Sequence, residues 1–166
     1  MRHPGVSYGV GLAYEEAARV CLDRDHSSPV TISIRDNANE ALAEASWVAA
    51  GADLKAAWAN DTDATEAGAS ALALATVELL RGLVAIRRTE TRTGADYYLD
   101  VPGTLTDDLE TAIRLEISGT ASAIPKVLID RLAQKLKQAE KGASNLPAMA
   151  VVVGFAQTRI LSADLE

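Results

Sequence analysis

The chain is predicted to be an α/β protein of three layers, α/β/α, built around a mixed central sheet. Apolar residues at helical spacing take turns along the chain with short β-branched runs, the pattern of a sheet covered by helices. The stretch Ala148 to Phe155 is almost unbroken apolar, as suits a strand buried on both faces. The 166 residues, 48% hydrophobic and 23% charged, are enough to bury a real core and too apolar for a disordered chain. They are read as a single domain, with residues 1–60 as an N-terminal helix-strand-helix extension and 62–161 as the core.

The elements follow in order. Residues 1–12 are glycine-rich and expected to be a loop. Tyr14 to Leu22 has helical spacing, with Ala17, Val20 and Cys21 able to share a face. Pro29 to Ile34 alternates with period two and is rich in β-branched residues, so a strand is expected. Asn37 to Trp58 is expected to be a helix capped by Asp36 or Asn37, with Gly51 as a break or kink and Trp47 and Trp58 packing along it. A second start, Thr62 to Glu66, precedes the helical run Ala67 to Leu80, which Gly82 stops.

Three strands are then expected: Val84 to Thr91, Ala95 to Val101 and Thr111 to Ser118. Thr93-Gly94 turns the chain between the first two, and Pro102-Gly103 with the acidic loop Asp107 to Glu110 separates the last two. Ile124 to Lys141 is a helix with Leu128, Leu132 and Leu136 as its apolar stripe. The core order is therefore helix, strand, strand, strand, helix, strand.

Composition excludes several classes. A formal charge of −7 argues against a general binder of nucleic acid or anionic membrane. Residues 84–145 are nevertheless neutral, with nine basic and nine acidic side chains, so local basic surface remains available. Cys21 is alone, which rules out a disulfide framework and a cysteine-based zinc site. His3 and His26 both fall in polar segments, so a histidine-dependent triad is not expected. Gly5-Val6-Ser7-Tyr8-Gly9 matches the nucleophile-elbow spacing but has no room for the strand that must precede it. No signal-peptide pattern or membrane-spanning window is present, and a reducing cytoplasm is the expected compartment.

Two carboxylates stand out. Asp96 opens one expected strand and Glu116 lies late in the next, each where an apolar or hydroxyl residue would pack more comfortably. Antiparallel pairing sets the start of one strand beside the end of the other, so the two acids are level across the pair. Alternation then sends Arg114, Glu116 and Ser118 to one face and Leu115 and Ile117 to the other. Two such acids can hold a divalent cation, which wants oxygen ligands. A helix rising about 1.5 Å per residue from Glu66 to Gly82 covers about 24 Å. The strand returning from Val84 to Thr91 covers about 26 Å at about 3.3 Å per residue. Glu66, rather than Glu78, thus ends beside the hairpin that carries Asp96.

Blander roles stand beside these. Asp96 also fits a turn or cap, Glu116 an ion pair with Arg87 or Arg92, and Glu66 the positive end of a helix dipole. Arg87, Arg88 and Arg92 form either a solvated strand face or a phosphate-contacting surface. Tyr97 and Tyr98 fall on opposite faces, one for the core and one for the edge of a cleft.

The order of elements with Asp96 and Glu116 in these places resembles the PD-(D/E)XK superfamily of restriction-endonuclease-like nucleases, over roughly Thr62 to Leu161. The resemblance implies a metal-dependent hydrolase of phosphodiester bonds in DNA, using magnesium or manganese held by Asp96 and Glu116, with Glu66 assisting. The family's third-strand motif, Glu-x-Lys, here reads Glu116-Ile117-Ser118, and Ala95 replaces the motif proline. Some members carry the lysine on the following helix, which implies Lys126 or Lys135 here. Arg131, always protonated, suits phosphate binding only. The competing expectation is a non-catalytic interaction module with the same fold, binding a basic protein partner or a second copy of itself. Neither reading involves a membrane.

Overall fold

The computed structural model describes residues 2–142 and 144–165. The elements run α1 (Tyr8–Asp23), β1 (Val30–Asp36), β2 (Asn39–Ala45), α2 (Ala52–Ala57), α3 (Asp61–Arg81), β3 (Val84–Arg88), β4 (Tyr97–Asp100), β5 (Ile113–Thr120), α4 (Pro125–Glu140), β6 (Ala148–Gly154) and β7 (Arg159–Asp164). One seven-stranded mixed sheet takes the order β2-β1-β7-β6-β5-β4-β3. Pairing is parallel between β5 and β6 and between β1 and β7, and antiparallel elsewhere. Helices cover both faces, so the three-layer α/β/α class and the order α3-β3-β4-β5-α4-β6 are as the sequence predicts. No helix among the described residues is long and apolar enough to cross a membrane.

Strand alternation divides the core. Met149, Val151 and Val153 of β6 join Leu115 and Ile117 beneath α1 and α3, where Ala64, Ala69 and Ala73 let the helix lie close. Ala150 and Val152 turn the other way, to Leu128 and Leu132 of α4. Since β6 is buried on both faces, its sequence shows no polar alternation. Gly68 lets α3 approach α1, because a Cβ there would stand 2.9 Å from the Ala18 nitrogen. Asn60 caps α3 by accepting from the amides of Thr62 and Asp63, and Gly82 ends it in the left-handed region at φ +64°.

The N-terminal third differs from expectation. The helix expected over Asn37 to Trp58 does not form; Asn39–Ala45 is the edge strand β2, and only Ala52–Ala57 is helical. Alanine and glutamate are good helix formers, but Ala41, Ala43 and Ala45 fall on one face of β2 and Glu40, Leu42 and Glu44 on the other. That is period two. Asn37, at φ +54°, opens the tight turn that joins β1 to β2, and Asp36 pairs with Asn39 instead of capping a helix. Pairing with β1 thus overrides helix propensity.

Helix α1 starts at Tyr8, inside the expected loop, because Ser7 accepts from the Val10 amide and caps it. Met1, the first residue of that loop, lies outside the described residues. Periodicity in the sequence gives no sign of strand β7. It pairs with β6 on one side and β1 on the other, so residues 30–45 extend the same sheet as the core.

Candidate functional site

The site grows from the short length of β4. Its ladder to β5 runs Tyr97 to Leu115, Tyr98 to Arg114 and Leu99 to Ile113. Asp96 lies one residue before that ladder begins, and its bonds to β5 set it beside residues 115–117. The Asp96 amide still donates to the Leu115 carbonyl at 2.7 Å, and Oδ2 of Asp96 accepts from the Ile117 amide at 2.8 Å. The Asp96 carboxylate therefore takes the next rung of the ladder, where a backbone carbonyl would otherwise sit. Beyond that point β4 gives β5 no partner, and a cleft of about 900 Å³ opens between α3, the 88–95 segment and α4.

Glu116, Ser118 and Arg114 face α4, as alternation predicts. Glu116 is 3% exposed. Its Oε1 accepts from Lys135 Nζ at 2.5 Å, and the same ammonium donates to Gln138 Oε1 at 3.3 Å. Four residues earlier on α4, Arg131 Nη1 donates to Ser118 Oγ at 3.3 Å. The helix thus lays one cation over the acid and another over the serine that stands where a motif lysine is expected.

Burial raises the pKa of Asp96 above the ordinary carboxylate value, against the Ile117 N–H and the charges of Lys135 and Arg88, which pull it down. Burial also raises Glu116; Lys135 opposes that rise and the neighbouring Asp96 adds to it. The Lys135 ammonium therefore offsets part of the cost of holding two acids together in a partly desolvated place.

Arg88 owes its aim to a β-bulge. The β3–β4 register shifts between Ala85 and Arg87, so Arg87 pairs with Tyr98 and Arg88 with Tyr97. Arg88 Nη1 consequently donates to the hydroxyls of Tyr14 (2.7 Å) and Tyr97 (2.9 Å), which bond each other at 2.7 Å. Its guanidinium lies 5.0 Å from the Tyr97 ring centre. Arg87 pairs at 2.6 Å with Glu90, which lines the cleft.

The other expected residues divide. Glu66 and Arg92 line the cleft with Asp96, Glu116, Lys135 and Arg88. Among the described residues, however, no three His, Cys, Asp or Glu side chains are grouped to hold a metal ion, so Glu66 does not complete a ligand set with the pair. Lys126 is 78% exposed and paired with Asp130 at 2.6 Å, outside the cleft. The ion pair expected between Glu116 and Arg87 or Arg92 is made by Lys135 instead. Tyr97 and Tyr98 do face opposite ways, but both are buried.

Two contributors escaped sequence reasoning. Tyr14 comes from α1, far away in the chain, and only the tertiary fold brings it to Arg88. Arg114 is 2% exposed and donates to the carbonyls of Thr93 (2.9 Å), Ala139 (3.0 Å) and Leu146 (3.0 Å). It ties the loop before Asp96 to the end of the helix that carries Lys135. An arginine flanked by Ile113 and Leu115 inside a strand was the available signal.

Comparison with protein-family models, with curated proteins and with solved structures finds no match to this chain.

Proposed function

We propose that the protein is a divalent-metal-dependent nuclease that hydrolyses phosphodiester bonds in DNA. One observation carries the reading: the Asp96 carboxylate is bonded to β5 at Ile117, next to Glu116, with Lys135 against Glu116. We read this arrangement as resembling the PD-(D/E)XK constellation, with the lysine coming from the following helix.

The residues fit magnesium or manganese. They offer two hard oxygen donors side by side, and burial raises the pKa of both acids even with Lys135 and Arg88 beside them. With no third acid grouped beside them, water and main-chain carbonyl would complete the shell, as is usual for magnesium. A bound dication would polarise a phosphoryl oxygen and lower the pKa of an attacking water. The chain's own groups do the rest. Asp96 is fixed by the Ile117 amide and Glu116 by Lys135, so neither must reorganise on binding. The Lys135 ammonium supplies beside Glu116 the charge that Ser118 lacks, placed to orient water and offset charge building on the phosphate. Arg88, held by two phenols, is placed for a phosphate oxygen. The one cysteine, Cys21, is a buried free thiol, in keeping with work in a reducing cytoplasm.

The second reading, a non-catalytic module that binds a basic partner, draws on Ser118 in the lysine position and on the charge of −7. A cleavage assay with magnesium or manganese separates the two. The nuclease reading expects cutting by the wild type and none by Asp96→Asn or Glu116→Gln protein with an unchanged fold. Wild-type protein that cuts no nucleic acid with either ion supports the module instead.

A further inference from the structure

The two walls of the cleft differ in character. One is formed by the end of β3, the loop after it and the end of α4, and carries Arg88, Arg92 and Lys141, together with Glu90, whose carboxylate is taken up by Arg87 and the Tyr98 hydroxyl. The loop is pressed onto α4, since a Cβ on Gly94 would stand 2.7 Å from the Gln138 carbonyl oxygen. The facing wall, from the end of α2 to the first turns of α3, carries Trp58, Asp63 and Glu66. Trp58 is half-buried, packed in part against the core and bordering the cleft beside exposed Asp63 and Glu66. In a chain with two tryptophans, four tyrosines and one phenylalanine, placing an indole there is a notable allocation.

Building on the nuclease reading, we propose that the cleft takes a single DNA strand, its phosphates along Arg88, Arg92 and Lys141 and its bases toward Trp58, Asp63 and Glu66. A duplex presents a phosphate backbone on each flank. Seated between these walls, it would press one backbone against Asp63 and Glu66 and meet like charge. A single strand has two unlike sides. Its phosphates match the basic wall, the π-face of a base matches Trp58, and exocyclic amines such as cytosine N4 can donate to the two carboxylates.

Size agrees. About 900 Å³ lies within the ~300–1,000 Å³ range of clefts that enclose small ligands. That volume has room for nucleotides in file. Arg88 is well suited to this task. Its partners are two phenols rather than a carboxylate, so its charge stays available while its direction is fixed.

The test measures binding to Asp96→Asn protein in chelator, so that nothing is cut. Short oligo-deoxycytidylate and the blunt duplex of the same strand with its complement are titrated at one salt concentration, read by tryptophan quenching. The single strand should bind at least about tenfold more tightly. Adding Trp58→Leu should weaken it by about tenfold, while Trp58→Phe, which keeps a ring, should not. Equal affinity for the duplex, or Trp58→Leu protein that binds the single strand unchanged, overturns the proposal. Its failure is distinguishable from failure of the nuclease reading. Selective single-strand binding without cleavage by the wild type would sink only that reading. Cleavage of closed circular duplex as fast as of single strands would sink only this proposal.

Discussion

Asp96 combines two demands in one side chain: it completes the β4–β5 ladder through the Ile117 amide and shares a desolvated face with Glu116. The two demands respond differently to substitution. Asp96→Asn keeps an oxygen for the Ile117 amide and removes a charge, so it should raise the melting temperature in the presence of chelator. Asp96→Ala also orphans that amide, a cost of about 1–3 kcal/mol that offsets the relief. The pH dependence follows from the direction of the shifts. Both acids have pKa values above their ordinary 3.8 and 4.5, so the folded protein holds these protons more tightly than the unfolded chain. Their contribution to stability therefore rises as pH falls through the raised values toward the ordinary ones, and is lost as pH climbs back. Denaturation of apo-protein across that window should show this slope, and Asp96→Asn/Glu116→Gln protein should flatten it. The two lysines give a sharper contrast. Lys135→Gln should lower the cleavage rate by about 100-fold, whereas Lys126→Gln, out in solvent beside Asp130, should leave it within twofold or so of wild type. Equal effects would remove Lys135 from the site.

Elements position these residues through close contacts that tolerate little change. Gly119 of β5 lies under α3, where a Cβ would stand 2.5 Å from the Thr65 carbonyl oxygen and 2.9 Å from the Ala69 Cβ. Gly119→Ala should therefore cost about 1–3 kcal/mol in urea denaturation and lower activity by tilting α3 over the cleft. A variant as stable and active as wild type would mean that this contact does not set the cleft's width. The elements also show what could be read from the chain and what could not. Strands β4, β5 and β6 and helices α3 and α4 announce themselves by periodicity and stop signals, and with them the approach of Asp96 to the stretch of β5 that holds Glu116. The bulge at β3 leaves no such mark. Plain alternation cannot say that Arg88, not Arg87, shares a face with Tyr97. Strand β2 was hidden because its alternating residues are alanine and glutamate, whose helix preference masks a period of two. Strand β7 followed a turn through Thr158 at φ +46°, a conformation that a β-branched residue rarely takes.

At the scale of the whole molecule, β7 joins the N-terminal hairpin to the core sheet, and a charge cluster fastens the seam. Arg81, at the end of α3, grips Asp36 of β1 through Nε (3.0 Å) and Nη2 (2.5 Å), and its Nη1 reaches Asp164 of β7 at 2.6 Å. Asp36 and Arg81 are mostly shielded from solvent, so Arg81→Met leaves acids without their partner. It should cost about 3 kcal/mol in denaturant unfolding while leaving the cleft, which lies at the other end of α3, able to bind DNA. Loss of binding together with stability would tie the cleft to the seam. The proposed activity depends on Asp96 and Glu116 sharing one dication. Calorimetric titration of the chelated protein with manganese measures this directly. It should show one ion bound per wild-type chain and none in Asp96→Asn/Glu116→Gln protein that remains folded. No manganese uptake by the wild type, or the same uptake by the double variant, would contradict it.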